Sequence, residues 1–162
     1  MCGKVLLLGL GNTIMSDDGA GIIAGRAVFG KIRENLRDES VEFLESSLSG
    51  WRLLDLVGGF DNVIVIDSLC REGQSAGKVF IIDDVNRAMT PGTSAHGTGV
   101  FQVLKASSVA GGGNKEIVVY AISVKDPYTF GEKLSVEVER NMRQIVDEIF
   151  DDIMKNRRVK WH

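Results

Sequence analysis

Two short, unbroken apolar runs constrain the fold most. Val5-Leu6-Leu7-Leu8 ends at Gly9, and Val63-Ile64-Val65-Ile66 ends at Asp67. Four apolar residues without polar alternation are the pattern of a strand buried on both faces. Such strands belong to a mostly parallel sheet with helices covering each side. The intervening segments agree. Ile22, Ile23, Ala27, Ile32 and Leu36 are the apolar positions of a helix predicted over 18–36. Val41–Leu44 reads as a strand. Trp51–Val57 reads as a short helix ended by Gly58-Gly59, with Trp51 packing it or, as the alternative, exposing its ring as a contact. Strands are predicted at 78–82 and 117–122, a helix at 100–106, and a flexible glycine-rich loop at 110–114. Val138, Met142, Ile145, Val146, Ile149 and Ile153 form the apolar stripe of a C-terminal helix. Ser135 stands at its N-cap position, and Glu137 and Glu139 suit the positive end of its dipole.

Composition narrows the function classes. With 44% hydrophobic and 25% charged residues, the chain of 162 residues is a globular protein rather than a disordered one. Its length is that of one domain, 1–162, with no interdomain linker and a short basic tail at 155–162. A net charge of −3, with no basic cluster outside that tail, argues against a nucleic-acid partner. No apolar stretch approaches the roughly 18 residues that span a bilayer. The N-terminus passes straight into a strand pattern and leaves no room for a signal peptide, so the expected location is the cytoplasm. Cys2 and Cys70 form neither a CxxC pair nor a zinc spacing and are read as reduced thiols, with a disulfide between them as the alternative. Mild charge and ordinary hydrophobicity suggest a monomer.

In open α/β sheets, ligands bind beyond the carboxyl ends of the strands. Three polar positions follow predicted strands or open helices. The first is the loop Gly9–Gly21. It begins like a dinucleotide fingerprint, Gly9-x-Gly11, but the third glycine falls on Ile14. Asp17 and Asp18 would also repel phosphate at the helix N-terminus. Asp17 is read as facing away from the crevice, or capping the helix, if Asp18 faces it. The second position is Asp67, a crevice carboxylate or the cap of a turn. The third is His96, in the small-residue loop Pro91–Gly99 before a helix, a ligand or a surface residue. Two carboxylates and one imidazole, each on a separate strand-end loop, suit a divalent cation with open positions. Cys70 is read as a small, partly buried thiol, although a nucleophile with His96 as base is conceivable. Asp126-Pro127-Tyr128 reads as a turn.

The stretch Gly9–Gly21 resembles the N-terminal signature of the nickel–iron hydrogenase maturation endopeptidases. The resemblance continues through Val63–Asp67, His96-Gly97-Thr98-Gly99 and Gly131–Val138. It implies an α/β fold, a three-layer α/β/α sandwich around a five-stranded, mostly parallel mixed sheet. It also implies a metal-dependent endopeptidase that removes a C-terminal peptide from a nickel-loaded hydrogenase large-subunit precursor. Carried over by motif, the metal-contacting and catalytic residues are Asp18, Asp67 and His96. The nickel would come with the precursor, and other divalent metals are conceivable in vitro. Glu45-Ser46-Ser47 stands where the family often has Asp-Gly-Gly, and Ala95 where Pro often precedes the histidine. Ser123–Pro127 also departs from the usual pattern. The alternatives are a non-catalytic metal- or precursor-binding chaperone of the same fold, or a small nucleotide-binding α/β protein using Gly9 and Gly11.

Overall fold

The computed structural model describes residues 3–36, 40–71, 73–83, 99–110 and 115–156. Five strands form one sheet in the order β2-β1-β3-β5-β4. They are β1 (Val5–Leu10), β2 (Val41–Ser46), β3 (Asn62–Cys70), β4 (Val79–Ile82) and β5 (Glu116–Val124). The pairs β1–β2, β1–β3 and β3–β5 are parallel, and β4 runs antiparallel to β5. The mixed, mostly parallel sheet expected from the apolar runs is therefore present. All six residues of β1 are buried.

Helices cover both faces. They are α1 (Ala20–Leu36), α2 (Leu53–Val57), α3 (Gly99–Ala110) and α4 (Val136–Lys155). Side chains alternate across a strand with period two. Val5, Leu7, Ile64, Ile66, Val118 and Tyr120 thus pack with α1 and α4, through Ala24, Val28, Ile145 and Ile149. Leu6, Leu8, Val63, Val65 and Val119 pack with α2 and α3, through Leu53, Val57, Val100 and Leu104. These two cores make the three layers.

Several local expectations need correction. Asp18 does not open an α-helix: it sits in a 3-10 turn, Ser16–Gly19, and α1 starts at Ala20. Asp67 does not close β3, which runs on to Cys70 because β5 pairs with it as far as Val124. Ala110 belongs to α3 rather than to the following loop. Trp51 precedes the short helix in a 3-10 turn, Gly50–Arg52, and is 66% exposed, the alternative of its two readings. Ser135 does occupy the N-cap position of α4, but its side chain makes no cap hydrogen bond. Among the described residues, no helix is long and apolar enough to cross a membrane.

Candidate active site

The site begins with a mismatch in strand length. Pairing of β1 with β3 ends at Gly9–Ile66, whereas β3 stays paired to β5 through Cys70. Asp67 is therefore the first β3 residue beyond its register with β1. The chain leaves β1 towards β2 on one side, and β3 lies on the other. The carboxyl ends of β1 and β3 thus flank the topological switch point, where open α/β sheets bind ligands. The turn carrying Asp18 follows β1 at that place.

Close backbone packing brings the turn to the sheet. A Cβ on Gly21 would collide with the Leu10 carbonyl oxygen and lie 2.6 Å from that of Ile66. A Cβ on Gly11, whose φ is +148°, would collide with the Asp18 carbonyl oxygen. The loop glycines serve helix–strand approach, which accounts for a Gly9-x-Gly11 start without a nucleotide.

Asp18 and Asp67 are both 4% exposed. One residue connects them. The Ser68 N–H donates to Asp67 Oδ1 at 2.8 Å, and the Ser68 hydroxyl donates to Asp18 Oδ1 at 3.2 Å. Two carboxylates from sequence positions far apart thus meet at one end of the sheet. His96, the third residue expected here, lies outside the described residues. Among the described residues, no group of three His, Cys, Asp or Glu side chains is placed to hold a metal ion. Asp18 and Asp67 supply two hard oxygen donors, a chemistry that fits a divalent cation whose remaining ligands come from elsewhere.

Asp17 does not cap the turn it sits in. It is fully buried. Its carboxylate accepts the backbone N–H groups of Lys125 and Asp126, each at 3.2 Å, and of Ser135 at 2.6 Å. It ties the turn before α1 to the segment joining β5 to α4. Further bonds join the same segments. Ser16 N donates to the Gly131 carbonyl at 2.6 Å, Gly131 N to that of Ile14 at 3.0 Å, and the Ser16 hydroxyl to that of Lys133 at 3.1 Å. Ser16 is held at φ +43°, a conformation uncommon for a residue with a side chain. Asp126 forms the expected turn: its Oδ1 accepts the N–H groups of Tyr128 and Thr129. Hydrogen bonds from the Thr129 side chain and then from these two N–H groups hold its carboxyl below the usual range.

The segment Glu45–Ser47 borders this loop. Gly11 N donates to the Ser46 carbonyl at 3.1 Å, and Leu48 N to the Ser46 hydroxyl at 3.0 Å. Arg26 grips Glu45 with two bonds, at 2.6 and 2.7 Å. Those bonds draw the Glu45 carboxyl below its usual range, against the opposing effect of burial. The Cys70 Sγ lies 3.9 Å from the Lys125 carbonyl oxygen. Sequence reasoning missed Ser68 and the anchoring role of Asp17. The available signal for Ser68 was a polar pair, Asp67-Ser68, prolonging an apolar strand.

Comparison with known proteins gives the family and agrees with the fold. The family model described as hydrogenase maturation protease matches residues 27–152, a span that takes in Asp67 and His96 and begins after Asp18. The hydrogenase 2 maturation protease of Escherichia coli (strain K12) is 26% identical over 121 residues, 74% of this chain and 72% of that protein. The hydrogenase expression/formation protein HupD of Bradyrhizobium diazoefficiens is 26% identical over 147 residues, 89% of this chain and 74% of that one. The [NiFe] hydrogenase maturation protease HybD from Thermococcus kodakarensis superimposes with a TM-score of 0.66 at 27% identity, covering 90% of this chain and 96% of its own. The hydrogenase maturating endopeptidase HybD from E. coli gives a TM-score of 0.69 at 21% identity, over 94% and 93%, and agrees in fold. The chain belongs to the hydrogenase maturation protease family and is a peptidase.

Proposed function

We propose that this peptidase removes a C-terminal peptide from a nickel-loaded hydrogenase large-subunit precursor, acting as a cytoplasmic monomer. Asp18, Asp67 and His96 contact the nickel that the precursor carries. The observation that supports this most is the buried pair Asp18 and Asp67, joined through Ser68 at the carboxyl ends of β1 and β3. The helix α3, which the His96 loop precedes in sequence, packs on the sheet face of Val63 and Val65, whose strand parity Asp67 shares.

Nickel, as part of the substrate, polarises the scissile carbonyl and acidifies a bound water. The chain's own residues do the rest. The carboxylates of Asp18 and Asp67 seat the loaded precursor with its peptide bond against the site. One of them takes the proton of the attacking water as general base and returns it to the departing amine. A C–O bond forms, the C–N bond breaks, and the proton count balances without a serine or cysteine nucleophile. Because these residues engage the precursor through its metal, an unfilled precursor is not a substrate.

The test is electrophoretic. Nickel-loaded and metal-free precursor are incubated in parallel with the protein. Shortening of the loaded form alone is the expected result. Cleavage of both at equal rates contradicts the metal requirement, and a retained complex of unchanged mass would mark a binding module.

A further inference from the structure

We propose that Ser68 is a positioning residue that holds Asp18 and Asp67 as one unit, an inference that rests on the functional reading above. Ser68 is 1% exposed, and its two donors serve the two carboxylates. The division follows from strand geometry. Ser68 shares the parity of Ile64 and Ile66, whose side chains meet the α1 layer, so its hydroxyl faces the turn that begins α1. Asp67 has the opposite parity, and the backbone N–H of Ser68 reaches back to it at 2.8 Å.

Chemistry fixes the direction of the hydroxyl bond. The single hydroxyl proton points from Ser68 to Asp18 Oδ1. One buried strand residue thereby touches both carboxylates. Alanine at 68 would keep the backbone bond to Asp67 and delete only the bond to Asp18. Outer partners that orient metal-contacting carboxylates typically contribute 10–100-fold in affinity or activity.

Ser68→Ala and Ser68→Thr are compared with the parent in three measurements. These are calorimetric titration with Ni²⁺ alone, cleavage of the nickel-loaded precursor, and thermal unfolding without metal. Ser68→Ala is expected to lose roughly 10–100-fold in Ni²⁺ affinity and in cleavage rate, with its melting temperature lowered by several degrees because one buried hydrogen bond is lost. Ser68→Thr keeps the hydroxyl on a residue suited to a strand and is expected to recover most of both. Parent-like affinity and rate in Ser68→Ala would overturn the proposal. So would a loss that a folded Ser68→Thr does not recover. The two readings separate cleanly. If the parent binds Ni²⁺ in a Ser68-dependent way but leaves the precursor uncut, the functional reading fails and the role of Ser68 stands. If the parent and Ser68→Ala cut the precursor equally fast, the functional reading stands and the role of Ser68 fails. A parent that neither binds Ni²⁺ nor cuts the precursor overturns both.

Discussion

The carboxylate of Asp17 takes three backbone N–H groups, while that of the adjacent Asp18 takes the hydroxyl of Ser68. Substitution should separate their roles. Asp17→Ala would leave the N–H groups of Lys125, Asp126 and Ser135 without their acceptor. Hydrogen bonds to a charged group contribute about 1.5–3 kcal/mol each, so a loss of roughly 3 kcal/mol or more is expected in urea unfolding. Asp18→Ala removes the bond from the Ser68 hydroxyl and also a buried carboxyl adjoining Asp17. The two effects offset, and a change under about 1 kcal/mol is expected. Equal costs for the two variants would contradict this division. The sequence showed two neighbouring acids and the need for only one to face the crevice. It could not show which groups Asp17 binds, because they lie 108 to 118 residues away.

The elements α1 and β3 make the site by approaching each other closely. Gly21 is the contact point, wedged against the carbonyl oxygens of Leu10 and Ile66. Gly21→Ala must push α1 from the sheet. Overpacking of this kind costs about 1–3 kcal/mol. The same shift moves the Asp18 turn from Asp67, so cleavage is expected to fall more than stability alone explains. Val65→Ala is the control: it leaves a cavity in the fully buried centre of β3, costs roughly 1–3 kcal/mol, and should spare the activity of the folded fraction. Denaturant midpoints together with rates normalised to folded protein distinguish the two. The elements themselves were legible because apolar runs and helical stripes report burial directly. The true end of β3 was not. Asp67 and Ser68 are polar, and only their pairing with Ala121 and Ile122 of β5 reveals that the strand continues. Likewise, the 3-10 turn at Ser16–Gly19 depends on bonds to Gly131 and Lys133, which no local pattern announces. Asp18 and Asp67 were legible as crevice candidates from their places after two buried runs.

Over the whole molecule, acid should weaken the fold gradually. Glu45 is held below its ordinary value by Arg26, Asp126 by Thr129 and Tyr128, and Asp147 by Lys31. Each carboxyl therefore has a lower value folded than unfolded. The unfolded chain binds protons first, so this stabilisation is intact above the ordinary carboxylate range and is lost as pH falls through the lowered values. The melting temperature is expected to be flat from about pH 7 to about pH 5 and to fall below about pH 4. Glu45→Gln combined with Asp126→Asn should make that decline shallower, and an unaltered decline would contradict the assignment. The central claim is that two carboxylates, one in the turn after β1 and one within β3, act with His96 to cut a nickel-loaded precursor. It is tested most directly by the intact mass of that precursor after incubation with the parent protein, Asp18→Ala, Asp67→Ala and His96→Ala. The account predicts loss of a C-terminal peptide with the parent and an unchanged mass with each folded variant. Full processing by any of the three would contradict the role given to that residue. An uncut precursor with the parent, in a preparation that an authentic maturation protease cleaves, would contradict the proposed substrate.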